Sequence, residues 1–155
     1  MKENKLDQNF LRVTKLKNGS VLDHLKPGSA FNALKVLGLS VKNVMTIGIN
    51  YDSKKYGKKD IIKIENKTLT HQEINKLSLV SPHATYCIIK DYKIIDKIEV
   101  SIPDIFENII KCPNPKCITN VEPVETKFYV LSKTPLTVKC YHCEKIFNES
   151  DINVK

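Results

Sequence analysis

The sequence predicts an α+β chain in two parts, a larger sandwich of strands and helices followed by a small antiparallel β domain. Two observations predict it. Over residues 1–103, strand and helix periodicities alternate in the order β, α, β, β, α, β, with one added terminal strand. Within residues 104–155, four cysteines fall in two close pairs, Cys-x4-Cys and Cys-x2-Cys. The first pattern is that of a split βαβ, ferredoxin-like sandwich, in which two helices cover one face of an antiparallel sheet. Ser101-Ile102-Pro103 reads as the hinge between a domain of residues 1–103 and one of residues 104–155.

Each element has a local reason. Residues 11–17 alternate as a strand, Asn18-Gly19 is a turn signal, and Ser20 to Leu25 reads as a second strand. Pro27-Gly28-Ser29 opens a helix whose Ala30, Phe31, Leu34 and Leu37 share one face, and Gly38 ends it. Val44 to Asn50 is a strand, Tyr51 to Lys58 a polar loop, and Asp60 to Glu65 a strand again. Thr70 stands three residues before Glu73, the spacing of a capping box. Ile74, Leu77 and Val80 give that helix its apolar stripe, and Pro82 stops it. Ala84 to Lys90 and Lys93 to Val100 are strands joined by a tight turn at Asp91-Tyr92. In the second part, Lys127 to Leu131 and Leu136 to Lys139 are the strand-like runs.

Composition narrows the class. The N-terminus is polar with no apolar h-region, and no stretch reaches the roughly 20 apolar residues a membrane span needs, so a cytoplasmic protein without membrane association is expected. The net charge of +8 is uneven: residues 1–103 hold seventeen lysines and Arg12 against ten acids, whereas residues 104–155 hold seven lysines and seven acids. An anionic partner is therefore expected on the first part. Arg12 is the only arginine, which counts against sequence-specific reading of nucleic acid, since bidentate contacts to guanine lean on arginine.

The cysteines carry the clearest chemistry. Zinc takes four soft or borderline donors in a tetrahedron, and two short cysteine-bearing turns juxtaposed by a small sheet supply them. Cys112, Cys117, Cys140 and Cys143 have that spacing, with Pro113 and Pro115 stiffening the first turn. In a reducing compartment such pairs read as ligands to one structural zinc; two disulfides or plain core cysteines are the rival reading. Four thiolates leave no open coordination position, so the metal would hold the fold rather than catalyse. His142 then reads as a surface residue, and the isolated Cys87 as a small half-buried apolar one. There is no glycine-rich phosphate loop, nucleophile elbow or HExxH motif, so an enzyme is not expected.

With the cysteines in place, the chain from about residue 10 onward resembles the regulatory chain of aspartate carbamoyltransferase. The resemblance is carried by Val21-Leu22-Asp23-His24, by Thr46 to Asn50, and most strongly by the run from Gly57 to Asn66. Pro82-His83-Ala84-Thr85 and the run from Cys112 to Asn120 complete it. It implies a non-catalytic subunit of pyrimidine biosynthesis. Regulatory-chain homodimers would bridge catalytic chains, a zinc domain would grip those chains, and an N-terminal domain would bind CTP, UTP and ATP. The family's phosphate and ribose contacts fall here on His24, Lys63 and Lys97, with Asp23 nearby. Its base contacts fall on Val13, Leu16, Lys59, Ile89, Tyr92 and Ile94. Thr14 stands where some members have an acid, and Cys87 where asparagine is common.

Read without the resemblance, Lys63 and Lys97 are solvated strand lysines, since polar positions that alternate along a strand are usually exposed. A zinc-ribbon nucleic-acid-binding protein is the main rival. The high pI and the Lys54-Lys55-Tyr56-Gly57-Lys58-Lys59 cluster favour it, while the scarcity of arginine and the neutral cysteine domain oppose it.

Overall fold

The computed structural model describes residues 15–155. Most of the expected first strand, with Val13 and Thr14, lies outside these residues, and Lys15–Lys17 are not in a strand. Among the described residues the elements run β1 (Gly19–Leu25), α1 (Ala30–Val36), β2 (Met45–Ser53), β3 (Gly57–Glu65), α2 (His71–Val80), β4 (Thr85–Lys90) and β5 (Lys93–Glu99). The five strands form one sheet in the order β2-β3-β1-β4-β5, every neighbouring pair antiparallel. Helix α1 carries the chain from β1 across β3 to β2, and α2 carries it from β3 across β1 to β4. This is the split topology the sequence predicts, and β5 is the added strand, on the edge.

One face of this sheet is filled. Leu22, Ile62, Ile64 and Tyr86 point to the helices and pack with Ala30, Ala33 and Leu37 from α1 and its end and with Leu77 from α2. Phe31 is not part of that stripe; it is 66% exposed, because the buried positions of the short helix run through Ala30, Ala33 and Leu37. The capping box of α2 is as expected: Glu73 N–H donates to the Thr70 hydroxyl, and Thr70 N–H to the Glu73 carboxylate. Helix α1 is capped from a distance, by the buried Asp60 carboxylate, which accepts from Ala30 N at 3.1 Å and from Asn50 N at 2.9 Å.

Two sequence signals read differently in three dimensions. The expected polar loop Tyr51–Lys58 is mostly ladder: β2 and β3 run to a three-residue turn, pairing Tyr51 with Lys59 and Ser53 with Gly57. Backbone pairing needs no apolar side chain, so polarity hid the hairpin. Asn18-Gly19 is the entry to β1 and not a hairpin turn; a Cβ at Gly19 would stand 2.0 Å from the Ile64 carbonyl oxygen, so only glycine fits there. The turn at Asp91-Tyr92 is as expected, with φ positive at both residues as in a type I′ hairpin.

The second half holds more strands than the sequence revealed. To the expected β8 (Lys127–Lys133) and β9 (Leu136–Cys140) it adds β6 (Ile105–Glu107), β7 (Ile110–Lys111), β10 (Ile146–Asn148), β11 (Asn153–Val154) and the one-turn helix α3 (Ile118–Val121). β10, β9, β8 and β6 form a sheet in that order, and β11 pairs with β7. Its own core contains Phe106, Ile109, Ile110, Phe128 and Val138 together with three of the cysteines. Leu79 of α2 packs against this second core, and the Lys76 ammonium donates to the Lys155 carbonyl at 3.4 Å, so α2 is an element through which the halves touch. Among the described residues no helix is long and apolar enough to cross a membrane.

The two faces of α1 and α2 give a direct test. Leu77→Ala should destabilise the chain by about 2–5 kcal/mol in urea unfolding, because the side chain is fully buried between helix and sheet. Phe31→Ala should stay within about 0.5 kcal/mol of wild type.

Candidate functional site: a four-sulfur cradle and the sheet face opposite the helices

The four cysteines converge. Cys112 follows β7, Cys117 caps α3, Cys140 ends β9, and Cys143 lies in the turn before β10. Their Sγ atoms all lie within 4.8 Å of one another, with Cys112–Cys143 at 3.7 Å and Cys117–Cys140 at 3.9 Å. Four sulfurs each about 2.3 Å from a tetrahedral ion stand about 3.8 Å apart, so the cradle fits zinc-like coordination. Disulfides do not account for it, since all five cysteines are free thiols.

Hydrogen bonds within the protein also hold the two turns. The Asn120 side-chain amide donates to the carbonyls of Cys112 at 2.9 Å and Asn114 at 2.8 Å, fastening the first turn. The Thr119 hydroxyl donates to Cys117 Sγ at 3.3 Å. In the second turn, Glu144 N–H donates to the Cys140 carbonyl and Cys140 N–H to the Lys145 carbonyl, both at 3.0 Å, around Glu144 in the left-handed region. Burial pushes the Cys112 and Cys140 thiols up. At Cys143 burial pushes the same way, but the Lys145 N–H, the Asn114 side chain and the neighbouring thiols outweigh it and bring the group down to about 7. A bound divalent cation would deprotonate the set. His142 is half-buried rather than a surface residue; its Nε2 lies 3.0 Å from the Glu125 carbonyl oxygen, on the flank of the cradle.

The second feature is the face of the large sheet opposite the helices. Antiparallel partners share a face, so register alone aligns Lys63, Val21, Cys87 and Lys97 in one row across β3, β1, β4 and β5. Cys87 is only 7% exposed, and neither it nor the buried Leu16 belongs to the helix-side core. Burial pushes the Lys63 ammonium down and the nearby Asp23 pushes it back up. Burial also pushes the Cys87 thiol up, against the pull of Lys97.

Two irregularities aim the flanking residues. In β1 the ladder with β3 gains one residue between Leu22 and Leu25, and His24 takes φ 53° there. Such a bulge re-aims a side chain. The His24 ring comes 3.8 Å from an Asp23 carboxylate oxygen and 3.4 Å from the Thr85 hydroxyl, and Asp23 pairs with Lys59 Nζ at 2.7 Å. In β5 the ladder skips Ile95: Cys87 pairs with Lys97 but Ile89 pairs with Ile94. Lys97 and Ile94, three apart and so on opposite faces of a regular strand, therefore share the face with Ile89. Tyr92 N–H donates to the Lys17 carbonyl at 3.0 Å, which ties the hairpin tip beside Leu16.

Of the sequence-predicted residues, Asp23, His24 and Lys59 thus cluster at one end of the face, Lys63 and Lys97 cross its middle, and Leu16, Ile89, Tyr92 and Ile94 gather at the other end. Val13 lies outside the described residues. Sequence reading overlooked Val21 and Thr85, which sit between these groups; once β1 and β4 were paired, their register would have found them.

Comparison with known proteins assigns both halves. Residues 11–101 match the family model described as aspartate carbamoyltransferase regulatory chain, allosteric domain. Residues 104–153 match that of the same chain's metal binding domain. Proteins named aspartate carbamoyltransferase regulatory chain are similar over nearly the whole length. The one from Pyrococcus horikoshii is 46% identical over 145 residues, 92% of this chain and 95% of its own. The one from Bacteroides fragilis is 46% identical over 155 residues, 99% of each chain. The one from Methanocaldococcus jannaschii is 47% identical over 139 residues, 90% and 93%. The chain belongs to the family of aspartate carbamoyltransferase regulatory chains, and its role is regulatory rather than catalytic.

Proposed function

We propose that this chain binds nucleoside triphosphates such as CTP, UTP and ATP on the sheet face opposite the helices, and that binding biases the activity of the catalytic chain it is held to. The carrying observation is the polarity of that face along β1. Apolar Leu16, Ile89 and Ile94 with Tyr92 lie at one end, Lys63 and Lys97 in the middle, and Lys59, Asp23 and His24 at the other. A nucleoside triphosphate has the same polarity, a flat apolar base at one end and a polyanion at the other. Lysine serves phosphate as a point charge, without fork geometry. Phosphate near Lys63 would reverse the burial that now lowers its affinity for a proton.

The division of labour follows residues 1–103 and 104–155, with Ser101–Pro103 as the joint. In the second unit Cys112, Cys117, Cys140 and Cys143 would hold one zinc, whose contribution is to fix the two turns and the sheet between them. Two further surfaces support the partners. β5 is a sheet edge with every residue exposed, Ile94 and Ile95 at 61% and 60%, and such an edge suits continuation of the sheet into a second copy of this chain. On the outer face of the second sheet, Ile105, Tyr129 and Ile146 share one row with Lys139, flanked by the exposed Tyr141 and Leu131. An aromatic and aliphatic patch ringed by lysine suits an apolar, acid-rimmed surface of the catalytic chain. A cytoplasmic location fits the five free thiols. The nucleic-acid reading is not favoured: both halves match the regulatory chain, and Lys58 of the basic hairpin is engaged by Asp52 at 2.7 Å. Coupling between effector and catalytic sites would be about 1–3 kcal/mol and reciprocal.

Three outcomes test this reading. Elemental analysis should find one zinc per chain; Cys140→Ser or a strong chelator should remove it and melt the β signal of the second half while the first half stays folded. In titrations with CTP and ATP, Lys63→Ala and Lys97→Ala should each weaken binding roughly 10- to 100-fold, the worth of a charge-assisted hydrogen bond, and unchanged affinity would refute the site. In sedimentation, Ile95→Asp should leave a monomer, whereas Tyr141→Glu should leave a dimer that no longer holds the catalytic chain.

A further inference from the structure

The halves meet along a seam that is not filled. A cavity of about 300 Å³ opens between the end of β1, the β2–β3 hairpin and the 3-10 turn Glu149–Asp151. His24, Lys26, Tyr56, Lys58, His83 and Glu149 line it. A neighbouring cleft of about 550 Å³ shares Lys26 and Glu149 and adds Lys35. Among the lining residues of both, Glu149 is the one carboxylate, and it comes from the second half; every cation and imidazole comes from the first. Glu149 makes no ion pair of its own among the described residues, so its charge stands against Lys26 and Lys35 across open space, with Lys58 beside them already paired to Asp52 at 2.7 Å.

His24 belongs to both sides of this arrangement. Its Nδ1 faces Asp23 and Thr85 on the sheet face, while its ring packs edge-on against Tyr56, with centroids 6.0 Å apart, at the wall of the cavity. Tyr56 in turn sits under the Lys55 ammonium, 5.0 Å from the ring centroid. The hairpin, His24 and the seam are therefore one contact system. The cavity walls lower the local dielectric, so charges here feel each other more than they would on a flat surface.

We propose that Glu149 is the sensor through which the metal-bearing half reads the effector site, a role that rests on His24 marking the phosphate end of that site. With the site empty, Glu149 is held toward Lys26, Lys58 and His24, and the seam is drawn together. A polyphosphate at His24 takes up the same positive potential and repels Glu149, and the second half is released from the first. The antagonism is mutual: Glu149 weakens polyphosphate binding as much as polyphosphate weakens the seam.

The test uses the assembled enzyme with its catalytic chain, with calorimetric titration of CTP and ATP and activity measured with and without each. Glu149→Gln should tighten nucleotide binding about two- to fivefold, the scale of a partly exposed charge interaction, and should shrink the nucleotide-induced change in activity. Glu149→Lys should tighten binding further and invert that change, because a cation there is drawn to the polyphosphate instead of repelled, while Ser150→Ala should behave as wild type and control for disturbance of the turn. Wild-type affinity and response in Glu149→Gln, or a response of unchanged sign and size in Glu149→Lys, would overturn the proposal. If wild type bound neither nucleotide, the effector reading itself would fall and this inference with it, a result distinct from normal binding with unchanged coupling.

Discussion

Among the described residues the five-stranded antiparallel sheet carries two helices, both packed on the same side, so the other side of its central strands presents a separate row of side chains. Everything specific about the first half follows from that constraint. Leu22, Ile62, Ile64 and Tyr86 fill the helix side. Their neighbours Val21, Lys63 and Cys87, one residue out of phase, line the face that no helix covers. On β1 and β3 the same alternation that builds the core also builds the candidate site, so a slip of one residue would destroy both at once.

The irregular positions matter as much as the regular ones. Two extra residues, one in β1 at His24 and one in β5 at Ile95, break the two-residue period where the face meets its edges. The first turns an imidazole toward Asp23 and Thr85; the second brings Ile94 to the side of Lys97. Asp60 holds the neighbouring region, since its buried carboxylate accepts from the start of α1 and from Asn50, itself at φ 60° in the bulge of β2. Buried carboxylates are costly unless hydrogen-bonded, and here the two N–H groups satisfy it while joining three elements around Lys59.

The second half solves a different problem. A unit of about 50 residues buries too little surface to be secure on its core alone, and its largest sheet has strands of three to seven residues. Four thiols within 4.8 Å of one another supply the missing closure through a single ion, tying the turn after β7 to the turn after β9. That rigid unit touches the first through Leu79 and Lys76 of α2 and faces it across a partly open seam.

Much of this was legible in the residues alone. Cysteine spacing, the capping box at Thr70 and Glu73, the helix stop at Pro82 and the order of strands and helices are local, and local chemistry fixes them. The family resemblance rested on contiguous runs such as Gly57 to Asn66, which sequence also carries entire. What the chain order does not contain is register. That Lys63 and Lys97 share a row, that bulges turn His24 and Ile94 to the same face, that Phe31 misses the core, and that Glu149 lines a cavity with cations from the first half of the chain depend on how distant strands pair and how two halves settle together. Those pairings are decided by the summed burial of many side chains, a property of the folded whole that no short stretch of sequence displays.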